Sequence, residues 1–247
     1  MISLPEGKFF SGTSGLVLEE PNKVSFPVAF RDKSRLTYYS TLFNSIEINS
    51  SFYKIPNFNT YKRWSEETVA LFLFTVKIWK GITHVEKFQA SDLEKFMSSI
   101  YAFGTKKGCI LIQYPAKSKV GLQDIERLIR KIHELDPQWR VAVEIRNPAW
   151  LIPDFFSCLR SYNAALVAHD RQQTQMPEIN SGSSFIYLRY HGPEGDYKGS
   201  YTPEFLQTEA LKIKLLMNNG LDVYAYFNNT MGDAVKNLKT LNGMLHS

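Results

Sequence analysis

Cysteine is nearly missing. The chain has only Cys109 and Cys158 in 247 residues and no CxxC pair, which excludes a disulfide-stapled framework and favours a reducing compartment. No run approaches the ~18 consecutive apolar residues of a membrane-spanning helix. The start, Met1-Ile2-Ser3-Leu4-Pro5-Glu6-Gly7, has no basic segment leading into an apolar one. The expectation is a cytoplasmic protein with no membrane association. Internal repeats, low-complexity segments and Gly/Ser linkers are also lacking, so residues 1–247 read as one domain. There is no GxSxG elbow, no glycine-rich dinucleotide fingerprint and no P-loop lysine, and the serine-hydrolase and Rossmann readings fall away. Strong basic clusters are scarce too: Lys106-Lys107, Lys117, Lys119, Arg127 and Arg130-Lys131 are scattered, so the net charge of +5 describes a solvated surface more than a nucleic-acid track.

What is present is alternation. Strand-like runs occur at about 8–12, 45–49, 72–77, 109–113, 140–146, 164–169, 184–191 and 222–228. Between them lie segments of helical period: Ser34 to Asn44, a helix opened by a capping box at Ser91-x-x-Glu94, Leu122 to Leu135, and about 231–245. Thr202-Pro203-Glu204 reads as a helix start, and Asn218-Asn219-Gly220 as its left-handed stop. Eight β segments alternating with seven or eight α segments predict an α/β fold, a single closed (β/α)8 barrel. Ser50 to Glu67 and Gln172 to Ser183 read as long connections on the carboxyl face.

Five of the runs place polar residues on one parity and apolar residues mostly on the other. Side chains two apart on a strand share a face, so Glu47/Asn49, Glu144/Arg146, Arg189/His191 and Tyr226/Asn228 should project together. Each pair sits where its run ends, which is where barrel enzymes build sites. Glu144 and Glu47 are therefore candidate acids or bases, and His191 a candidate proton shuttle. Lys77, Arg146 and Arg189 are candidate anion holders. Asn49, Gln113, Asn228 and Asn229 supply neutral hydrogen bonds; Tyr53, the nearest mouth aromatic, His84 and Asp170 complete the substrate-binding set. His84, Glu144, His169, Asp170 and His191 are ligand types for zinc or manganese. Neighbouring cations would repel a metal, and none is expected. Gly12-Thr13-Ser14-Gly15 could cradle a phosphate with its amides. The competing bland reading is a polar plug in which Glu144 pairs with Arg189, and Glu47 with Lys77 or Arg146.

The ordered blocks Gly12-Thr13-Ser14-Gly15, Phe43 to Tyr53, Arg63-Trp64, Phe74-Thr75-Val76-Lys77, Ile82-Thr83-His84, Gln113-Tyr114-Pro115, Val143 to Trp150, Tyr187 to Pro193 and Val223 to Asn229 resemble the YecE-like family, known as domain of unknown function seventy-two. The resemblance implies a TIM barrel and no settled activity. It departs at Leu16, where the family commonly has Trp, and at His169-Asp170, where a small residue more often precedes the acid.

The leading expectation is an acid/base enzyme of unknown reaction class, acting on a small anionic molecule, phosphorylated or carboxylated, at the mouth. The alternatives are a protein that binds or processes nucleic acid and a non-catalytic ligand-binding barrel. No cofactor and no oligomeric state are legible.

Overall fold

The computed structural model describes residues 6–170 and 182–246. Its eight strands are β1 (Phe9–Thr13), β2 (Ser45–Ile48), β3 (Leu73–Lys77), β4 (Lys107–Gln113), β5 (Arg140–Glu144), β6 (Ala165–His169), β7 (Phe185–Tyr190) and β8 (Asp222–Phe227). Every neighbouring pair is parallel, in the order β1-β8-β7-β6-β5-β4-β3-β2. A single parallel bridge between Ser14 and Glu47 joins β1 to β2, so the sheet is a nearly closed barrel. All eight expected strands are present, with ends displaced by no more than a few residues.

The sheet separates two apolar populations. Cys109, Leu111, Ala142, Ala165, Val167, Phe185, Tyr187, Tyr224 and Tyr226 pack together inside the barrel. Residues of the opposite parity, such as Ile46, Val76, Ile110, Val143 and Leu188, join the larger core beneath the helices. This is the period-two rule acting on strands covered on both sides.

The helices are α1 (Arg35–Leu42), α2 (Ser50–Tyr53), α3 (Phe58–Glu67), α4 (Lys80–Thr83), α5 (Ala90–Ile100), α6 (Leu122–Leu135), α7 (Pro153–Ser161), α8 (Pro203–Asn218) and α9 (Ala234–His246). In α6, Ile125, Leu128, Ile129 and Ile132 form the buried stripe that their spacing predicts. Thr202 caps α8 by accepting from the Phe205 N–H, Pro203 occupies its first turn, and Gly220 leaves it at φ +79°.

Two expectations need correcting. The capping box at Ser91 is not formed: α5 already begins at Ala90, behind an extended Gln89 that makes no side-chain cap, so Ser91 lies inside the helix. Ser50 to Glu67 is not an unstructured connection, because α2 and α3 occupy most of it. Asn57 caps α3 by accepting from the Thr60 N–H at 2.9 Å. The Gln172 to Ser183 connection lies almost wholly outside the described residues.

Candidate active site

The carboxyl ends of the strands carry one continuous charged network. Arg189, on β7, is 2% exposed, and Glu47 and Glu144, from β2 and β5, are fully buried. Arg189 donates to both oxygens of Glu47, Nη2 to Oε1 at 2.8 Å and Nε to Oε2 at 3.0 Å. Its Nη1 donates to Glu144 Oε2 at 2.5 Å. Glu47 also accepts from the Ser14 and Tyr187 hydroxyls, each at 2.5 Å, and Glu144 accepts from Arg146 Nε at 3.1 Å. Burial alone would raise both carboxyls. The Arg189 guanidinium, aided at Glu47 by the Ser14 and Tyr187 hydroxyls and at Glu144 by neighbouring groups that include Arg146, outweighs it, and both are held below the ordinary carboxylate range. Two ionised carboxylates thus surround one guanidinium, with their lone pairs largely engaged.

Arg189 also approaches His191, with Nη1 3.3 Å from Nε2. Arginine has no lone pair to offer, so Nε2 accepts and Nδ1 carries the proton. Nδ1 lies 3.2 Å from Asp170 Oδ1, which also accepts from the His191 amide at 2.8 Å. The Tyr201 hydroxyl donates to the other Asp170 oxygen. Burial, then the nearby Arg189 charge, pushes the His191 imidazole below its usual value despite the Asp170 hydrogen bond. His169, whose ring centroid lies 5.7 Å from that of His191, is lowered chiefly by burial as well.

Above this layer is a cavity of about 180 Å³ lined by Asn49, Phe52, Tyr53, Lys77, Gln113, Arg146, Arg189, Tyr197 and Asn228. Lys77 Nζ donates to Gln113 Oε1 at 2.8 Å and stands 4.2 Å from the Phe52 ring centroid. Among the described residues no carboxylate comes within ion-pair distance of Lys77. Burial pushes its ammonium down to about 8, and the Arg189 charge adds to the effect. His84, exposed at the rim, packs edge-on against Phe52 at 5.0 Å and is lowered by burial and by Lys77 and Arg146.

The structure thus gathers Asn49, Tyr53, Lys77, Gln113, Arg146, Arg189 and Asn228 around one cavity. Glu47 and Glu144 lie beneath it, His191 and Asp170 beside Arg189, and His84 at the rim. Asn229 faces elsewhere. Its Nδ2 donates to Gly199 O and to Asn237 Oδ1 of α9, because the residue after Asn228 takes the opposite parity. The Gly12 to Gly15 turn is not a phosphate cradle. Its amides are already engaged, Thr13 with Tyr39 Oη, Ser14 with Phe227 O and Gly15 with Glu47 O. Of the expected plug pairs, Glu144 with Arg189 forms, whereas Glu47 takes Arg189 rather than Lys77 or Arg146. Among the described residues no three His, Cys, Asp or Glu side chains come together in a way that could hold a metal ion.

Three contributors escaped the sequence reading. Tyr187 shares the parity of Arg189 and was findable on that ground, and Ser14 was assigned to a turn rather than to Glu47. Tyr197 reaches the cavity from a loop at φ +72°, which no periodicity announces.

The family model for the protein of unknown function DUF72 matches residues 10–247. The chain belongs to the DUF72 family. The UPF0759 protein YunF of Bacillus subtilis is 24% identical over 250 residues, covering 87% of this chain and 88% of that protein. A DUF72 family protein from Thermotoga maritima superposes with a TM-score of 0.78 at 24% identity, covering 97% of this chain and all of the other. One from Enterococcus faecalis gives 0.77 at 17% identity, covering 97% and 96%. These likenesses establish the barrel. Among the described residues, no helix is long and apolar enough to cross a membrane.

Proposed function

We propose that the mouth cavity binds a small anion, phosphorylated or carboxylated, and that the protein acts on it by proton transfer. The observation that carries this reading is Lys77. Glu47 and Glu144 are taken up by Arg189 and Arg146, while Lys77 faces the cavity with, among the described residues, only the neutral Gln113 oxygen as hydrogen-bond partner. A half-buried ammonium without an ion-pair partner among the described residues favours an anionic one. Arg146 flanks it with a partly exposed guanidinium, and Asn49, Gln113 and Asn228 line the same space.

The proton-transfer role moves with the geometry. Glu144 was the expected acid or base, yet a carboxylate ionised by two guanidinium groups is a poor acid and a weak base. With its ammonium near 8, Lys77 can hold the anion and also return a proton to an oxygen on which negative charge develops. Glu47 and Glu144 then act through Arg189, fixing the guanidinium that lines the cavity floor. A space of about 180 Å³ suits a compact head group better than a polymer backbone, which favours this reading over nucleic-acid binding.

The test is thermal stabilisation against inorganic phosphate, sulfate, phosphorylated sugars, nucleotides and short organic acids. Ligand at ~100 times its Kd adds roughly 2.7 kcal/mol. Stabilisation by anions that disappears in Lys77→Met and in Arg146→Met supports the reading, and a flat response overturns it. A ligand bound but recovered unchanged after prolonged incubation makes the barrel a binding protein instead of an enzyme.

A further inference from the structure

A second cavity lies against the first. It has a volume of about 320 Å³ and opens between the outer face of β2 and helices α1 and α3. Leu36, Ile48 and Trp64 line it together with Leu16 from the loop after β1, so its walls are almost wholly apolar. At Gly15, whose φ is +91°, nothing stands within 4 Å of where a Cβ would be, and the entrance is open. Asn49 lines both this cavity and the charged one. Its Oδ1 is buried and has no hydrogen-bond partner in the protein.

An apolar hollow of this size is not needed by the fold, because close packing leaves few voids larger than a water molecule. A dry cavity of about 150 Å³ already holds benzene, so this one has room for more than a ring. Asn49 is the residue common to the linings of the cationic cavity and the apolar one, so the two spaces adjoin at its side chain. We infer that the ligand of the mouth is an amphipathic organic anion: its charged head meets Lys77 and Arg146, and an aryl or alkyl group enters the hollow beyond Asn49. This inference rests on the anion-binding reading above and adds the chemistry of the rest of the molecule.

The experiment is calorimetric titration of the intact protein with inorganic phosphate and with methyl, butyl, hexyl and phenyl phosphate. Each methylene that enters the hollow should tighten binding about fourfold, with hexyl and phenyl phosphate well ahead of phosphate itself. In Leu16→Trp, which fills the hollow, the series should converge on the affinity of inorganic phosphate. The chain-length series needs no variant, so a misfolded Leu16→Trp leaves the conclusion intact. Equal affinity for phosphate and all its esters overturns this inference while leaving the mouth as an anion site. If no member binds, the anion reading fails and this one fails with it.

Discussion

Arg189 grips Glu47 through two parallel hydrogen bonds, at 2.8 and 3.0 Å, across the interior of the barrel. The same guanidinium holds Glu144 at 2.5 Å, so one side chain pairs with two buried acids, the second of which also accepts from Arg146. Replacing Arg189 by Met should strand Glu47 and leave Glu144 with Arg146 alone, and breaking a buried ion pair costs about 3–5 kcal/mol. Urea unfolding would read this as a lowered midpoint. Adding Glu47→Gln and Glu144→Gln should recover part of the loss by removing the stranded charges. A loss under about 1 kcal/mol for the single variant would contradict the assignment.

The same network sets the acid response. Glu47 and Glu144 titrate below 4.5 in the folded protein, so their stabilising contribution is complete above that pH and is lost as pH falls toward the folded values. His169 and His191 are lowered from 6.5, so between that value and their folded values the unfolded chain binds more protons, and acid favours unfolding there too. Chemical denaturation from pH 8 to 3 should show stability falling in two windows, one below 6.5 and one below 4.5. The lower slope should flatten in Glu144→Gln. A pH-independent midpoint would refute the account.

The barrel and the membership of the mouth were legible because both follow from parity. Glu47, Lys77, Gln113, Glu144, Arg189 and Asn228 each stand at an inward position near a strand end, and their alternation with apolar neighbours shows it. The pairing was not legible. Glu47 and Arg189 are 142 residues apart and lie on strands that are not neighbours, so only closure of the barrel decides which acid the guanidinium reaches. The reading at Ser91 failed for a local reason: Ser-x-x-Glu fits a cap or a helix interior equally well, and the extended backbone at Gln89 settles it. The apolar hollow at Asn49 was not legible, because Leu36 reads as an ordinary helix-face residue, Leu16 and Trp64 stand out only against the family pattern, and nothing in the sequence brings the three together.

Lys77 gives the site a pH dependence of the same sign as that of the acids, in a higher window. Its folded value of about 8, against 10.5 for a free lysine, means that the charged amine costs about 3 kcal/mol of stability below pH 8. The cost is relieved as pH rises from 8 to 10.5, where the unfolded chain still binds the proton and the folded chain does not. Lys77→Met should therefore be at least as stable as the parent at pH 7, while binding anions at least roughly tenfold more weakly. Sulfate keeps a constant charge over this range, and its affinity for the parent should fall as pH rises past about 8. Calorimetry between pH 6 and 10 checks this, and an affinity that stays level would remove Lys77 from the anion site.

His191 looked from its position like a proton shuttle, and its contacts argue for a different task. Nε2 faces an Arg189 donor at 3.3 Å and Nδ1 faces Asp170 at 3.2 Å, so both nitrogens are engaged and the ring is buried. A second positive charge beside Arg189 is disfavoured, and the neutral Nδ1-protonated tautomer is the one that fits. Nitrogen NMR of labelled protein should show that tautomer for His191 at pH 6.5, where a free histidine is half protonated. Asp170→Ala removes the acceptor on Nδ1 together with a contact that raises the imidazole, so the ring should resist protonation still further while its tautomer loses definition. An imidazolium at pH 6.5 in the parent protein would overturn this assignment and restore His191 as a proton donor to the cavity. A neutral ring leaves proton transfer to Lys77 and makes His191 a positioning residue for Arg189.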